Sequence, residues 1–174
     1  MSDYERRIIA IHKNLGIPSD YASQSGLVLQ PEDIDLVNID DDIFCRPQKL
    51  SINAAGSWGV MKSQAEKDGV LLNVVSAFRS VDRQIEIIQK KRDQGHAMSA
   101  ILKISAAPGY SEHHSGRALD ITTPDCLPLT ESFELTEAFN WLSENAQTYS
   151  FRLSYPRGNR FGVLYEPWHW VYYA

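Results

Sequence analysis

The segment spanning residues 106–121 constrains the fold most, because loop-forming residues in it lead directly into a strand pattern. Pro108 and Gly109 oppose a continuous helix, so we expect His113 to lie on a loop. The last part of the segment alternates apolar and polar residues, which predicts a short strand with Asp120 on one face and its apolar neighbours on the other. The segment therefore predicts a loop-to-strand unit that carries two potential metal ligands.

Asp120 is costly to bury beside core residues unless it has a partner. A bound cation is one partner, and the alternative is an aspartate that caps the following turn. The last ten residues add His169 in an aromatic segment, with Glu166 three residues before it. Pro167 interrupts a regular strand, so Glu166 and His169 need not point to opposite faces. An isolated histidine among aromatic residues is more often a core residue, and only its combination with His113 and Asp120 favours a metal site.

These motifs resemble those of a known family. The pattern Ser-x-His-x-x-Gly-x-Ala-x-Asp at 111–120, followed by Glu-Pro-Trp-His at 166–169, is similar to the VanY-like zinc D-alanyl-D-alanine carboxypeptidases of peptidoglycan. The segment Ser-Ala-Phe-Arg-Ser at 76–80 looks like an earlier block of the same family. The resemblance covers roughly residues 70–173. It implies an α+β fold of the hedgehog/DD-peptidase type, with a small, mainly antiparallel central sheet flanked by helices.

Two imidazoles and one carboxylate, with a water in the fourth position, form an open catalytic zinc site rather than a closed structural one. The resemblance implies that His113, Asp120 and His169 hold one zinc ion. It also implies that Glu166 is the general base of peptide hydrolysis and that Arg79 binds the terminal carboxylate of the substrate.

Three further residues are candidate substrate contacts, and each has a structural alternative. Gln84 lies five residues beyond Arg79, where it reaches the same ligand group or is a surface amide. Ser111 either hydrogen-bonds the substrate backbone or shapes the turn. Tyr155 resembles a family tyrosine of the substrate groove, and the alternative is a buried aromatic with a satisfied hydroxyl.

The chain departs from the usual family pattern at three places that bear on substrate choice. Ala77-Phe78 stands where the family commonly has Gly-Tyr, whereas Ser154 and Val171 stand where it has arginine. We expect L,D-carboxypeptidase activity that removes the terminal D-alanine from tetrapeptide muropeptides in cell-wall recycling. Three arginines are candidate partners for the extra carboxylate of a diaminopimelate, or are surface charge: Arg152, Arg157 and Arg160.

The alternatives come from two classes of protein. A D,D-carboxypeptidase or dipeptidase would act on D-Ala-D-Ala ends, and a lysin-like endopeptidase would cut within peptidoglycan. A zinc-stabilised interaction domain would not be an enzyme at all. Glu166 and Arg79 discriminate against that last hypothesis, because a purely structural zinc needs neither residue.

Composition is consistent with this interpretation. With 174 residues, 43% hydrophobic and 22% charged, the chain fits one domain over 1–174, with an N-terminal helix and extension in 1–47 and the catalytic motifs in 70–174. A net charge of −5 argues against a nucleic-acid partner. No signal-peptide pattern or membrane-spanning run is present, so we expect a cytoplasmic protein without a membrane partner. Cys45 and Cys126 are expected to be free thiols. The sequence predicts no oligomeric state.

Periodicity and capping signals predict the remaining elements. A first helix begins after Ser2 and ends at Gly16, and another is capped by Ser80. Residues 70–78 form a continuous apolar run that predicts a strand in the middle of a sheet. Further helices are predicted at 54–67, 97–104 and 135–146, a further strand at 151–155, and a terminal strand within the last ten residues, 165–174.

Overall fold

The computed structural model describes residues 1–32 and 35–174. The α-helices of this part of the chain are α1 (Asp3–Leu15), α2 (Tyr21–Ser25), α3 (Ile52–Lys67), α4 (Val81–Asp93), α5 (Met98–Ile104) and α6 (Glu137–Asn145). Its strands are β1 (Leu36–Asn38), β2 (Lys49–Ser51), β3 (Asn73–Ser76), β4 (Ala118–Thr122), β5 (Phe151–Leu153) and β6 (His169–Tyr172). Short 3₁₀ helices cover Glu112–Ser115, Glu131–Leu135 and Ala146–Tyr149.

Four strands form an antiparallel sheet in the order β3-β4-β6-β5. Asp120 of the inner strand β4 lies opposite Ser76 of β3 on one side and opposite His169 of β6 on the other. Strands β1 and β2 pair with each other in a separate antiparallel ribbon. The predicted α+β architecture, a small and mainly antiparallel sheet flanked by helices, is confirmed.

The prediction that residues 70–78 run through the middle of the sheet is wrong. The strand is shorter, and β3 lies at one end of the sheet order. Its outer edge is covered by backbone, because Ile43 N donates to Val74 O at 2.9 Å and Phe78 N donates to Lys49 O at 3.0 Å. A covered edge excludes water as a neighbouring strand does, so this edge strand has the apolar pattern of a central one.

The largest cluster of buried apolar side chains joins α3 and α6 to the sheet. It contains Trp58 of α3, Leu142 of α6, and Leu119 and Ile121 of β4. These two β4 residues point away from Asp120, as the alternation along the strand predicts. One face of β4 therefore packs in the core, and the other face carries Asp120.

A second apolar cluster packs the N-terminal segment against α4 and α5. Leu15 and Tyr21 lie in it together with Ile88 of α4 and Ile101 of α5. Tyr155, which follows β5, belongs to the same cluster. Residues of the predicted N-terminal extension thus support the part of the chain that carries the motifs.

Helix boundaries follow the predicted capping signals. Ser2 Oγ accepts a hydrogen bond from Glu5 N at 3.1 Å in a capping box, and Gly16 ends α1 with φ 72°. Ser80 Oγ accepts from Arg83 N at 3.1 Å at the start of α4. The other predicted helices occur as α3, α5 and α6, with ends shifted by one or two residues.

Two broader expectations also bear on the described residues. Neither Cys45, which is exposed, nor the partly buried Cys126 forms a disulfide, so the prediction of free thiols is confirmed. Among the helices of residues 1–32 and 35–174, none is both long enough and apolar enough to cross a bilayer.

Candidate active site

The segment predicted to be a loop around His113 is a single 3₁₀ turn over Glu112–Ser115, which corrects that expectation. The turn contains no proline or glycine, so the breakers at 108–109 act only upstream of it. Gly116 ends the turn with φ 65°, and a Cβ at this position would lie 2.7 Å from Leu36 Cδ2. A Cβ would also lie 3.0 Å from the backbone nitrogen of Ser51, so the positive φ and this close approach together require glycine.

Three predicted metal ligands converge on one face of the two inner strands of the sheet. Asp120 and His169 are cross-strand partners on β4 and β6, and the 3₁₀ turn brings His113 over them. His113 Nε2 lies 3.3 Å from Asp120 Oδ2, and His169 Nδ1 lies 3.0 Å from Asp120 Oδ1. The three donor atoms lie within 4.8 Å of one another, and all three residues are buried. The combination that the sequence predicted from widely separated motifs is therefore assembled.

Backbone geometry fixes which nitrogen of His113 is free. Its Nδ1 lies 2.6 Å from Ala77 O, a distance at which the Nδ1–H donates to the carbonyl. The Nε2 lone pair is then directed towards Asp120 and the centre of the site. Burial lowers the pKa of His113 below its ordinary value, which favours this neutral form.

His169 is held from three directions. Its Nε2 lies 2.8 Å from Glu112 Oε2, and its Nδ1 faces Asp120. Tyr155 stacks on the imidazole with ring centroids 4.9 Å apart. Burial alone would lower the pKa of His169, but the hydrogen bonds to Asp120 and Glu112 outweigh it and raise the pKa to about 10.

Glu112 is the member of this cluster that the sequence analysis missed. Its position next to His113 is visible in the motif, but a glutamate in a polar segment is usually solvated. In the fold it is largely buried, with its side chain 19% exposed. Burial would raise the pKa of this carboxyl, but the hydrogen bond to His169 lowers it below the ordinary value. Only the contact with a residue 57 positions away reveals Glu112 as part of the site.

Asp120 is suited to bind a cation. Burial would raise the pKa of this carboxyl, but the neighbouring histidines lower it far below its usual range, so the group stays ionised. Two imidazole nitrogens and one carboxylate oxygen are the donor set of an open zinc site with a position left for water. The residues therefore fit zinc, with His113, Asp120 and His169 as its ligands.

Glu166 reaches the same centre from the turn that precedes β6. His169 N donates to Glu166 O at 3.1 Å in this turn, and Glu166 Oε2 lies 4.0 Å from His169 Nδ1. The two residues therefore face one site, as the interruption at Pro167 allowed. Burial raises the pKa of Glu166 to about 7. A carboxylate with a pKa near neutrality is suited to accept a proton and return it.

Arg79 is delivered to the site just beyond the end of β3. Its Nη2 donates to Ser76 Oγ at 3.0 Å and lies 3.7 Å from Asp120 Oδ2, and its Nη1 donates to Gln84 Oε1 at 3.1 Å. Gln84 is fully buried, and its Nε2 donates to Ala106 O at 2.8 Å. The surface-amide alternative is therefore wrong, and the structure places Gln84 behind Arg79 rather than in the cavity.

The ligands open onto a cavity of about 520 Å³. Arg79 and Glu166 line it, and so do two predicted substrate contacts, Ser111 and Tyr155. Ser111 also shapes the turn, because its backbone carbonyl accepts from His114 N at 3.0 Å. Burial and nearby carboxylates raise the pKa of Tyr155 well above its usual range, so the hydroxyl stays protonated. Both residues are placed where a substrate would contact them.

The arginines considered as partners for a second substrate carboxylate do not line this cavity. Arg157 instead donates to Glu131 at 2.9 Å and to Glu134 at 2.7 Å. Among the residues that the structure describes, Lys91 of α4 is the lysine or arginine that lines the cavity together with Arg79.

Comparison with known proteins gives the same assignment along most of the chain. A family model described as "VanY: D-alanyl-D-alanine carboxypeptidase" matches residues 47–174. The chain is 31% identical to the putative carboxypeptidase YodJ of Bacillus subtilis, in an alignment that covers 97% of this chain and 60% of YodJ. Across the curated relatives it matches, the chain spans about half of their length.

Solved structures show the same fold. The LD-carboxypeptidase LdcB is 32% identical, with a TM-score of 0.72, over 81% of this chain and 69% of LdcB. A mutant of the vancomycin-resistance D,D-pentapeptidase VanY from the VanB-type cassette, solved in complex with Zn(II), is 26% identical. Its TM-score is 0.64, and the match covers 86% of this chain and 88% of that one.

Proposed function

The chain belongs to the VanY family of D-alanyl-D-alanine carboxypeptidases, and on this basis we propose that it is a zinc-dependent carboxypeptidase acting on peptidoglycan-derived peptides. One observation carries the proposal: the buried ligand set opens onto the same cavity as Glu166 and Arg79. A zinc-stabilised interaction domain would need neither a base nor a buried cation at this place. The reaction is the release of a terminal D-alanine by hydrolysis.

Glu166 supplies the proton transfers of this reaction. It takes a proton from the attacking water, whose oxygen bonds to the scissile carbonyl carbon, and it delivers a proton to the leaving amine as the C–N bond breaks. Its pKa of about 7 makes both transfers accessible near neutral pH. A bound zinc would supply a Lewis acid for the carbonyl and a lowered pKa for the water.

Arg79 supplies the anchor that an exopeptidase requires. Its planar guanidinium accommodates a carboxylate through two parallel hydrogen bonds, and its contacts with Ser76 and Gln84 hold it in place before the substrate arrives. Its side chain is 20% exposed, so one part of the group still faces the cavity. The terminal carboxylate of a D-alanine is the group that this anchor would bind.

The preferred bond in this proposal is the one between an L-centre and D-alanine, as found at the end of a tetrapeptide. Support comes from LdcB, which is named an LD-carboxypeptidase and matches with higher identity and TM-score than the D,D-pentapeptidase. Ser154, one of the departures from the family pattern, has its hydroxyl near the Glu112 carboxylate but does not itself line the cavity. Val171 is buried in β6 opposite Ala118 and does not line the cavity.

A cytoplasmic location and a role in muropeptide recycling belong to the same proposal. An enzyme that cleaves only after an L-centre would spare the D-Ala-D-Ala ends of wall precursors, so it is compatible with a compartment that contains them. Fractionation of cells that express the protein would test the location. We expect tripeptide products to accumulate in the cytoplasmic fraction.

The central experiment compares two defined substrates. Zinc-loaded protein is incubated with tetrapeptide and pentapeptide muropeptides, the products are identified by mass, and Glu166→Gln protein serves as the matched inactive control. We expect loss of one D-alanine and a higher kcat/KM on the tetrapeptide. A higher kcat/KM on the pentapeptide would overturn the L,D preference. If protein shown to contain zinc shortened neither peptide, the carboxypeptidase proposal itself would fail.

A further inference from the structure

Glu112 has a contact that neither the metal ligands nor the proton transfers explain. It occupies the first position of the 3₁₀ turn, directly before His113, but its side chain is directed to the other histidine. Glu112 Oε2 lies 2.8 Å from His169 Nε2, with side-chain exposures of 19% and 4%. The two residues are 57 positions apart, so the tertiary fold builds this contact.

The chemistry of imidazole gives the contact a consequence. A neutral imidazole carries its proton on one nitrogen and a lone pair on the other. Nδ1 of His169 faces Asp120 and the centre of the ligand set, whereas Nε2 faces away towards Glu112. Nδ1 can act as a ligand only if the proton resides on Nε2, and a carboxylate next to Nε2 stabilises that tautomer.

We propose that Glu112 is a positioning residue that holds His169 as the Nε2–H tautomer and directs the Nδ1 lone pair at the metal position. Glu112 is not itself a ligand, and it acts through His169 alone. The inference deepens the proposed function, because it takes His113, Asp120 and His169 to be the metal site. It does not depend on which peptide bond is cut.

Neighbouring contacts restrict the ring and the carboxylate further. Tyr155 stacks on His169 and thereby holds the plane of the imidazole, so the hydrogen-bond partners choose between the two ring orientations that a 180° flip about the Cβ–Cγ bond would exchange. The Ser115 hydroxyl donates to Glu112 O at 2.6 Å and thereby fixes the backbone of the turn. Ser154 Oγ is buried near the Glu112 carboxylate and makes no well-formed hydrogen bond within residues 1–32 and 35–174. His169 Nε2 is therefore the main partner of the carboxylate.

A matched control exists elsewhere in the fold. Asp68 accepts a hydrogen bond from Trp141 Nε1 at 2.9 Å, so it is also a carboxylate paired with a ring N–H over a long sequence separation. It lies at the end of α3 and does not line the cavity. Asp68→Asn therefore removes one charge from the same kind of contact without affecting His169.

The main measurement is zinc affinity, determined on the full chain by competition with a chromophoric chelator and without any peptide. Removal of the carboxylate partner of a metal-binding histidine typically weakens metal binding by about 10- to 100-fold. We expect Glu112→Ala to fall at the upper end of this range and Glu112→Gln, whose amide oxygen still accepts the Nε2–H bond, at the lower end. Asp68→Asn should bind zinc like the unaltered protein. Thermal unfolding of the metal-free variants shows whether each is folded.

Nitrogen-15 NMR of the zinc-loaded protein gives a readout that a merely structural role would not change. We expect a slowly exchanging Nε2–H resonance of His169 in the unaltered protein and in Glu112→Gln, and its loss in folded Glu112→Ala. A zinc affinity within about threefold of the unaltered protein in either folded Glu112 variant would overturn the proposal, since the expected loss is at least about 10-fold. A loss of the same size in Asp68→Asn would also overturn it. The near-isosteric Gln variant keeps the test decisive if the Ala variant does not fold. Failure to cleave peptides with these affinities intact would instead count against the proposed function.

Discussion

The 3₁₀ turn over Glu112–Ser115 has two faces, and the adjacent residues His113 and His114 show how differently the fold uses them. Both histidines are buried, and in both the Nδ1 lies 2.6 Å from a backbone carbonyl, of Ala77 for His113 and of Arg79 for His114. The difference lies at Nε2. His113 Nε2 faces Asp120 in the cavity, whereas His114 Nε2 accepts a hydrogen bond from Gly109 N at 3.1 Å.

Burial therefore does not distinguish a candidate ligand from a structural histidine, since both side chains are buried. The partner of Nε2 distinguishes them. The two polar atoms of His114 are both used by backbone, and burial lowers its pKa to about 4, so it stays neutral. Gly109 also contacts the N-terminal helix, because a Cβ there would lie 2.8 Å from Ile8. The core face of the turn, which carries His114, thus contacts Gly109 and through it the N-terminal helix. The cavity face, which carries His113, faces Asp120 and the ligand set.

The largest expected effect comes from removing the ligand on the cavity face. His113→Ala should lose stoichiometric zinc, because two remaining donors do not complete an open catalytic site. Peptidase activity should fall at least as far as the ~10⁴-fold upper end of a general-base deletion. Metal analysis and hydrolysis of a tetrapeptide check both expectations. Undiminished zinc stoichiometry in this variant would show that the ligand is misassigned.

Glu166→Gln should separate metal binding from proton transfer on the cavity face. The amide keeps the shape of the side chain but cannot accept a proton, so turnover should fall by ~10²–10⁴-fold while zinc stays bound. Single-turnover hydrolysis and metal analysis of the same preparation provide the measurement. Near-normal turnover would rule out Glu166 as the base.

Arg79 contributes to both faces, which makes its substitution a sharper test. Its backbone carbonyl holds His114, whereas its guanidinium lines the cavity. Arg79→Lys leaves the backbone carbonyl in place but replaces the planar guanidinium, which can form two parallel hydrogen bonds, with a single ammonium group. The loss of about one charge-assisted hydrogen bond should lower kcat/KM by roughly 10- to 100-fold. Peptides with a free C-terminus should show this loss. If the unaltered enzyme cleaved amidated and free peptides equally well, Arg79 would not be a carboxylate anchor.

The smallest effect on activity is expected on the core face. His114→Ala should bind zinc normally, but it leaves Gly109 N and the Arg79 carbonyl without their partner. An unsatisfied buried polar group costs about 1–3 kcal/mol, so denaturant unfolding should show a loss of this size. If a folded His114→Ala protein of normal stability lost its zinc, His114 would be part of the metal site rather than a structural histidine.

The sequence predicted the parts of the fold that depend on local chemistry. The capping box at Ser2, the stop at Gly16 and the cap at Ser80 each act within a few residues, and the structure confirms all three. The strand around Asp120 was predicted for the same reason, since alternation along a strand is a local pattern. The place of β3 in the sheet was mistaken, because a covered edge and a central position produce the same apolar run.

The sequence by itself determined which residue types are available for the site: two histidines, an aspartate, a glutamate and an arginine in a recognisable order. Only the tertiary structure decided that Gln84 holds Arg79 from behind, that Glu112 contacts His169, and that His113 rather than His114 faces the cavity. The physical reason is that a side chain's identity is a property of one position. Its hydrogen-bond partners come from segments that only the packed sheet and turn bring within 3 Å or so.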